Sequence, residues 1–380
     1  MATPGQFGGA VANAALLVVS VALATGAALL LSWIRAPIAE AARLAKEVDP
    51  PQENAFEDPN APDDRTKTYV GVLLRKGEEV DKLCVCDCVS VSVRVFETLG
   101  AEKAALSLTV VIPAYNEEKR ILVTLKDTVA FLESKKHQDP SFSYEILVVD
   151  DCSQDATVDV VMREVKTHSV ERIRLLRLQK NHGKGGAIRK GVMRARGERV
   201  LFADADNATE IRDLDKLAQA MDQAQEGGKT GVIVCGSRAH LEEQAIAKRN
   251  PLRNLLMHGF HLIVTTLCVK NVRDTQCGFK LFDRTAARVL FAPMHIERWA
   301  FDVELLYLAS ISGMAVKVLC FVSLQEVAVQ WTEVPGSKLS VISATLTMLR
   351  EIVLIRLCYT LGIWKLSDGG FRLAKRASTQ

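Results

Sequence analysis

"RVLFADADNATEI", residues 199–211, is the stretch on which the fold turns. An apolar run, Val200 to Ala203, feeds directly into two carboxylates one residue apart, Asp204 and Asp206. Side chains alternate along a strand, so the two aspartates point the same way. Two anions aimed at one place repel each other unless something positive sits beside them. Similar short apolar runs stand at Leu108 to Ile112, Glu145 to Val149, Ile173 to Leu178 and Val232 to Cys235. Between them lie helix-like stretches, Glu117 to Lys135, Thr157 to Thr167, Gly185 to Arg196 and Ile211 to Gln225. This alternation predicts a mostly parallel α/β sheet covered on both faces. Such sheets bind ligands beyond the carboxyl ends of their strands, so the residues just after each run are the candidates for chemistry.

After the first run comes "PAYNEE", residues 113–118. Pro113 is expected to end the strand, Tyr115 offers a flat face to a base, and Glu117 offers an acceptor. The second run ends at Asp150 and Asp151 in "DDCSQDAT". Carboxylates there suit a ribose or a base, whereas Asp155 suits the N-cap of the helix that follows. After the third run, "NHGKGGAIRKG" at 181–191 puts glycines and Lys184 before a helix, where backbone amides attract phosphate. It is not a P-loop, because no Ser or Thr follows a Gly-Lys pair at the required spacing. No Gly-x-Gly-x-x-Gly turn follows the first strand, which argues against a dinucleotide oxidoreductase. The fourth run delivers Asp204 and Asp206. A divalent cation beside them relieves their repulsion, and oxygen-only ligation suits Mg²⁺ or Mn²⁺ with substrate phosphates as further ligands.

The rest of the chain sets the boundaries. A net charge of +3 over 380 residues gives no reason to expect nucleic acid as a partner. Nine scattered cysteines read as reduced thiols of a cytosol-facing protein. Cys84, Cys86 and Cys88 alternate in "LCVCDCVSVSVRVF" and read as strand residues rather than metal ligands. Ala10 to Ile34 holds 25 residues without a charge, roughly 37 Å as a helix at about 1.5 Å per residue, enough to cross a membrane. No Lys or Arg precedes it, and Arg35, Arg43 and Lys46 follow it. That is the pattern of an anchor with everything after residue 35 in the cytosol. Residues 49–65, rich in Pro, Asp and Glu, read as an extended linker. Val341 to Trp364 is apolar but interrupted by Arg350, Glu351 and Arg356. It reads either as a helix lying along a membrane, charges outward, or as a helix of the core. The expected organisation is an anchor at 1–35, a linker and unassigned segment at 36–105, a catalytic domain at 106–340 and an amphipathic segment at 341–380.

In their order, "TVVIPAYNEEKRI", "ILVVDDCSQDAT", "NHGKGGAIRKG", "FADADNAT" and "CGSR" resemble the family 2 glycosyltransferases. "RNLLMHGFHLIV", "RDTQCGFKLF", "RWAFDVELL" and "VQWTEVPGSKLS" narrow the resemblance to the dolichyl-phosphate β-glucosyltransferases of the endoplasmic reticulum. The resemblance covers about residues 106–345, with Asn207 standing where that family usually has Gly. It implies the Rossmann-like, A-type glycosyltransferase fold behind an N-terminal transmembrane helix in the endoplasmic reticulum membrane. It implies transfer of glucose from UDP-glucose to dolichyl phosphate with inversion. Pro113, Tyr115, Glu117 and Asp150 would hold the uridine, with Asp204 helping, and Asp206 would ligate the metal on the diphosphate. Arg238 and Arg253 would meet the acceptor phosphate. Trp331 and Lys338 would close over the diphosphate, and Asp302 would stand by the acceptor. A phosphate monoester, with its second pKa near about 6, is mostly dianionic in the cytosol and hardly needs a general base. It needs positive charge, so Asp302 reads as a positioning or metal-side group before a base. The nearest alternative is the related mannosyltransferase that uses GDP-mannose; one of a different class is a catalytically silent nucleotide-sugar binding subunit, against which the Asp204 and Asp206 pair argues.

Overall fold

The computed structural model describes residues 55–58, 92–95, 99, 103–239, 263–269, 272–315, 323–332 and 341–365, with the isolated positions 32, 35 and 39. The chain divides into a unit Met1–Glu47 and a unit Val48–Gln380. The expected anchor at 10–34 lies outside the described residues apart from Ser32, as do Cys84, Cys86 and Cys88. Among the described residues no helix is long and apolar enough to cross a membrane.

In the second unit, β1 (Ala55–Asp58) pairs antiparallel with β2 (Ser92–Val95). Part of the expected linker is therefore a strand. Its local sequence carries no strong signal, and its pairing partner comes from some 35 residues further on.

The main sheet has seven strands: β3 (Leu106–Ala114), β4 (Tyr144–Asp150), β5 (Ile173–Arg177), β6 (Gly197–Ala203), β7 (Val232–Ser237), β8 (Phe279–Asp283) and β9 (Ser323–Ala328). Their spatial order is β5-β4-β3-β6-β8-β7-β9. Strands β3 to β6 are mutually parallel, β7 and β9 are parallel to each other, and β8 runs antiparallel between β6 and β7. The inner strands are buried on both faces, which explains their continuous apolar runs. Connecting helices are α1 (Ile121–Gln138), α2 (Thr157–His168), α3 (Gly183–Val192), α4 (Leu214–Glu226), α5 (Arg284–Phe291), α6 (Phe301–Ala315) and α7 (Val341–Thr360).

The order reverses at β3, which has β4 on one side and β6 on the other. Pairing of β3 with β6 stops at Val111 and Phe202, whereas pairing with β4 continues to Ala114 and Asp150. The sheet therefore opens between β3 and β6, the topological switch point at which open α/β sheets take their ligands. Pro113 does not end β3. It stays paired with Val149, on a stretch where the β6 side has already parted. Phe202 stacks on Phe282 with ring centres 5.8 Å apart and lies 5.9 Å from Phe301. This aromatic layer begins at Phe202, two residues before Asp204.

The second half of helix α7 packs into the core, whereas Leu346 nearer its start is exposed. Ile352, Leu354, Ile355 and Cys358 are buried. The expectation of outward charges fails for Glu351, which is buried and accepts the Ala300 amide at 2.9 Å just before α6. Arg356 is exposed and reaches the Tyr307 hydroxyl at 3.4 Å.

Candidate active site

Asp204 and Asp206 follow β6 at the open crevice, with buried Ala205 between them. Each carboxylate side chain is 30 % exposed and faces a cation. Lys184 Nζ lies 2.5 Å from Asp204, and an Arg120 guanidinium nitrogen lies 4.0 Å from Asp206. Burial works against the Lys184 charge, but Asp204 and then Asp302 outweigh it and raise its pKa. Asp206 also accepts the Ala208 amide at 3.0 Å, closing a tight turn. Asn207 in that turn has φ 58°. The left-handed region suits Gly, and Asn is the side chain that enters it most readily. Asn207 thus keeps the backbone path expected of a glycine.

The loops after β3 and β4 are laced together. The Asn116 amide donates to Ser153 Oγ at 2.9 Å, and the Gln154 amide to Asn116 Oδ1 at 2.8 Å. The Glu117 amide donates to Thr157 at 2.7 Å. This bracing leaves Tyr115 43 % exposed above the crevice. The Glu117 carboxylate is held by both edge nitrogens of Arg120, each at 2.6 Å. Asp155 accepts the Thr157 amide at 3.0 Å at the start of α2.

Asp150 and Asp151 are both buried but differ in use. Asp150 accepts the Ser153 amide at 3.3 Å through one oxygen, while its Oδ1 has no hydrogen-bond partner. Burial raises its pKa. A buried acceptor without a donor invites one from a ligand. Asp151 accepts the His182 amide at 2.7 Å and the Gly183 amide at 2.8 Å. Burial, working against these bonds, lifts its pKa to about 6. Asp151 thus fixes the turn into α3.

The glycines of α3, expected to precede the helix, lie within it and do not form a phosphate cradle. The amides of Gly185 and Gly186 donate to the carbonyls of Arg298 and Glu297 at 3.2 and 2.8 Å. A Cβ on Gly185 would meet Phe301 at 2.6 Å, and one on Gly191 would meet Val111 at 2.6 Å. These glycines serve close packing. From this segment it is the Lys184 side chain that reaches the strand-end carboxylates.

On the far side, Arg238 at the end of β7 makes a two-point bridge to Asp274, at 2.7 and 2.9 Å. It also lies 5.4 Å from the centre of the Trp331 ring. Burial opposes its charge, but Asp274 more than compensates and raises its pKa. Asp274 was not among the expected residues. Its partner lies 36 residues away in sequence, and nothing local signals the pair. Trp331 forms a bridge with Thr209, and the Thr332 amide donates to Ala208 at 2.9 Å. The segment after β9 therefore backs onto the turn carrying Asp206. Arg253 and Lys338 lie outside the described residues.

Asp302, in the first turn of α6, is buried and accepts from Lys280 Nζ at 2.7 Å. Lys280, completely buried on β8, also donates to the Cys277 carbonyl at 2.6 Å. Burial raises the Asp302 pKa against the pull of Lys280 and Lys184. Lys280 holds its proton despite burial because of Asp302. Gly278 is a second unforeseen member, since a Cβ there would lie 2.0 Å from an Asp204 oxygen. Its signal was the "CGF" just before an apolar run, where only Gly admits so close an approach.

Among the described residues no three His, Cys, Asp or Glu side chains gather to hold a metal alone. The Asp204 and Asp206 pair, half open and oxygen-only, fits Mg²⁺ or Mn²⁺ when phosphate oxygens complete the shell.

The sequence pattern of Glycosyl transferase family 2 matches residues 109–291. The chain is 46% identical over 304 residues to a dolichyl-phosphate beta-glucosyltransferase of Drosophila melanogaster, covering 80% of this chain and 89% of that one. It is 47% identical over 261 residues to the Homo sapiens protein of the same name, covering 69% and 78%. Among solved structures, a Mycobacterium tuberculosis glucosyl-3-phosphoglycerate synthase in complex with Mn²⁺, UDP and glucosyl-3-phosphoglycerate aligns with 16% identity, covering 68% of this chain and 81% of that one, at a TM-score of 0.42. With relatives of this identity over most of its length, and with its strand-end carboxylates at the switch point of a mixed α/β sheet, the chain is a glycosyltransferase and belongs to the family 2 dolichyl-phosphate beta-glucosyltransferases.

Proposed function

We propose that this protein transfers glucose from UDP-glucose to dolichyl phosphate, giving dolichyl β-D-glucosyl phosphate. The observation that carries the reading is the crevice between β3 and β6, in a chain nearly half identical to proteins of that name. On one side stand Tyr115 and the unpartnered oxygen of Asp150, suited to a nucleoside. On the other stand Arg238 and Trp331. Asp204 and Asp206 lie between them.

Tyr115 offers a stacking face, and Asp150 accepts a donor from the base or ribose. Asp204 and Asp206 would hold Mg²⁺ or Mn²⁺, which neutralises charge on the departing diphosphate. Lys184 adds a second cation beside the same oxygens. The acceptor phosphate oxygen attacks the anomeric carbon as the bond to UDP breaks on the opposite face, so the configuration inverts. Arg238 is the described cation suited to the acceptor phosphate, with Arg253 and Lys338 assigned beside it from the sequence. Asp302, fixed by Lys280, orients the acceptor side rather than removing a proton. The stretch Ala10–Ile34 serves as a membrane anchor. The catalytic unit works on the cytosolic face of the endoplasmic reticulum membrane, where a lipid-tailed acceptor is within reach.

The test is a transfer assay on the full chain, with UDP-glucose and GDP-mannose side by side, with and without dolichyl phosphate, and with chelator. Glucose transfer that needs dolichyl phosphate, stops in chelator and returns with Mg²⁺ or Mn²⁺ is the expected result. Preference for GDP-mannose would overturn the donor assignment. Full activity in excess chelator would overturn the metal.

A further inference from the structure

Helix α1 meets the metal-side turn along a single stripe. Arg120, Thr124 and Asp127 are spaced i, i+4 and i+7, so they share one helix face. They touch three consecutive residues of the turn. A nitrogen of Arg120 lies 4.0 Å from Asp206, Thr124 Oγ1 donates to the Ala205 carbonyl at 2.8 Å, and Asn207 donates to Asp127 at 2.8 Å. The last two contacts fix the turn against the helix. The first puts a cation beside the carboxylate that faces the diphosphate.

Arg120 is itself held. Glu117 grips its Nε and Nη2 at 2.6 Å each, which directs the remaining nitrogen, Nη1, toward Asp206. The guanidinium is 24 % exposed, so it borders the crevice without being sealed from it. Glu117 offsets part of the Arg120 charge, so what acts at Asp206 is the edge turned toward it: Nη1 opposes a lone divalent cation there and can donate to a diphosphate arriving at the same point. Arginine also matches the oxygens of a phosphate in geometry and charge.

We propose that Arg120 is a further donor-binding residue, which opposes the metal alone and favours a nucleoside diphosphate arriving with the metal, so that the two ligands bind cooperatively. This rests on the reading of Asp206 as a metal–diphosphate residue. A purely structural Arg120 would weaken both ligands together. A residue acting as proposed moves them in opposite directions.

The experiment measures Mn²⁺ binding by electron paramagnetic resonance without nucleotide, and UDP binding by calorimetry with and without saturating Mn²⁺, on the full chain. Arg120→Met is expected to bind Mn²⁺ alone several-fold more tightly. It is expected to bind UDP with Mn²⁺ about tenfold more weakly, the loss typical of a charge-assisted contact. Arg120→Gln, a second neutral variant, must give the same opposite signs. Unchanged affinities, or parallel weakening of both ligands, overturn the proposal. If UDP binding by the unaltered chain ignores Mn²⁺, the metal reading itself fails and the proposal falls with it. That outcome is visible before any variant is made.

Discussion

Lys280 has no exposure at all, a rare position for an ammonium group. It persists because Asp302 lies 2.7 Å away and the Cys277 carbonyl takes a second bond. Lys184, Asp204, Cys235 and Cys277 also act on this pair. Burial already raises the Asp302 pKa, and Lys280 is the strongest influence pulling it down. Replacing Lys280 by Met removes that pull, so the carboxyl pKa rises further. If transfer needs ionised Asp302, activity is then lost at a higher pH on the acid side. Lys280→Met is expected to move the acid limb of the rate profile upward and to cut the rate at pH 7 by about an order of magnitude, as when a fixed charge at the reacting centre is lost. Lys280→Met with Asp302→Asn separates the roles: a purely structural pair is rescued by removing both charges, whereas a needed carboxylate is not. Rates from pH 5 to 9, with UDP binding as the folding control, decide between these outcomes.

Helix α7 shows how a contact distant in sequence turns part of an apolar helix inward. Glu351 accepts the Ala300 amide at the start of α6, so the helix is tied inward. Burial holds the Glu351 pKa above its ordinary 4.5. From there upward the folded state binds more protons than the unfolded one, so this group's contribution to stability falls as pH rises. A glutamine side chain at the same position would not titrate and would keep an acceptor for the amide. Glu351→Gln should therefore gain in melting temperature relative to the unaltered chain between pH 5 and pH 8. Glu351→Ala leaves a buried donor unmet and should lose about 1–3 kcal/mol. A pH-independent difference between the glutamine variant and the unaltered chain would show that the carboxyl is not buried in this way. The β3 to β6 strands and their helices were legible because each carries its own apolar run and period. The strand-end aspartates were legible because the rule for such sheets says where to look. Strand β8 was not, because "FKLFD" says nothing of direction or neighbours, and its pairing with β6 and β7 is decided far away. Gly278 beside Asp204, Asp274 beside Arg238 and Arg120 beside Asp206 were hidden for the same reason. Each is a contact between segments, and no period within a segment encodes it.

At the scale of the molecule, two stretches of chain supply the candidate site among the described residues. Residues 113–238 supply Tyr115, Asp150, Asp204, Asp206 and Arg238, and residues 272–332 supply Asp274, Gly278, Lys280, Asp302 and Trp331. Strand β8 joins them, since it lies between β6 and β7 and gives each a partner. A chain stopped after residue 239 is therefore expected to expose the apolar edge of β6, to bind an apolar dye and to self-associate. A chain extended through residue 365 should do neither, when both chains begin at residue 48, beyond the apolar stretch 10–34. Dye fluorescence and size-exclusion profiles of the two compare them directly, and a monomeric, dye-silent short chain would contradict the role given to β8. The same arrangement imposes a timetable on synthesis. At about 5–20 residues per second, the ribosome releases Phe279 roughly 4–15 s after Ala203. During that interval β6 stands as an open edge, the feature that invites another chain to pair. The nascent protein must therefore be sheltered midway through translation, and a pause or premature stop between residues 203 and 279 is more hazardous than one in the helices that precede them.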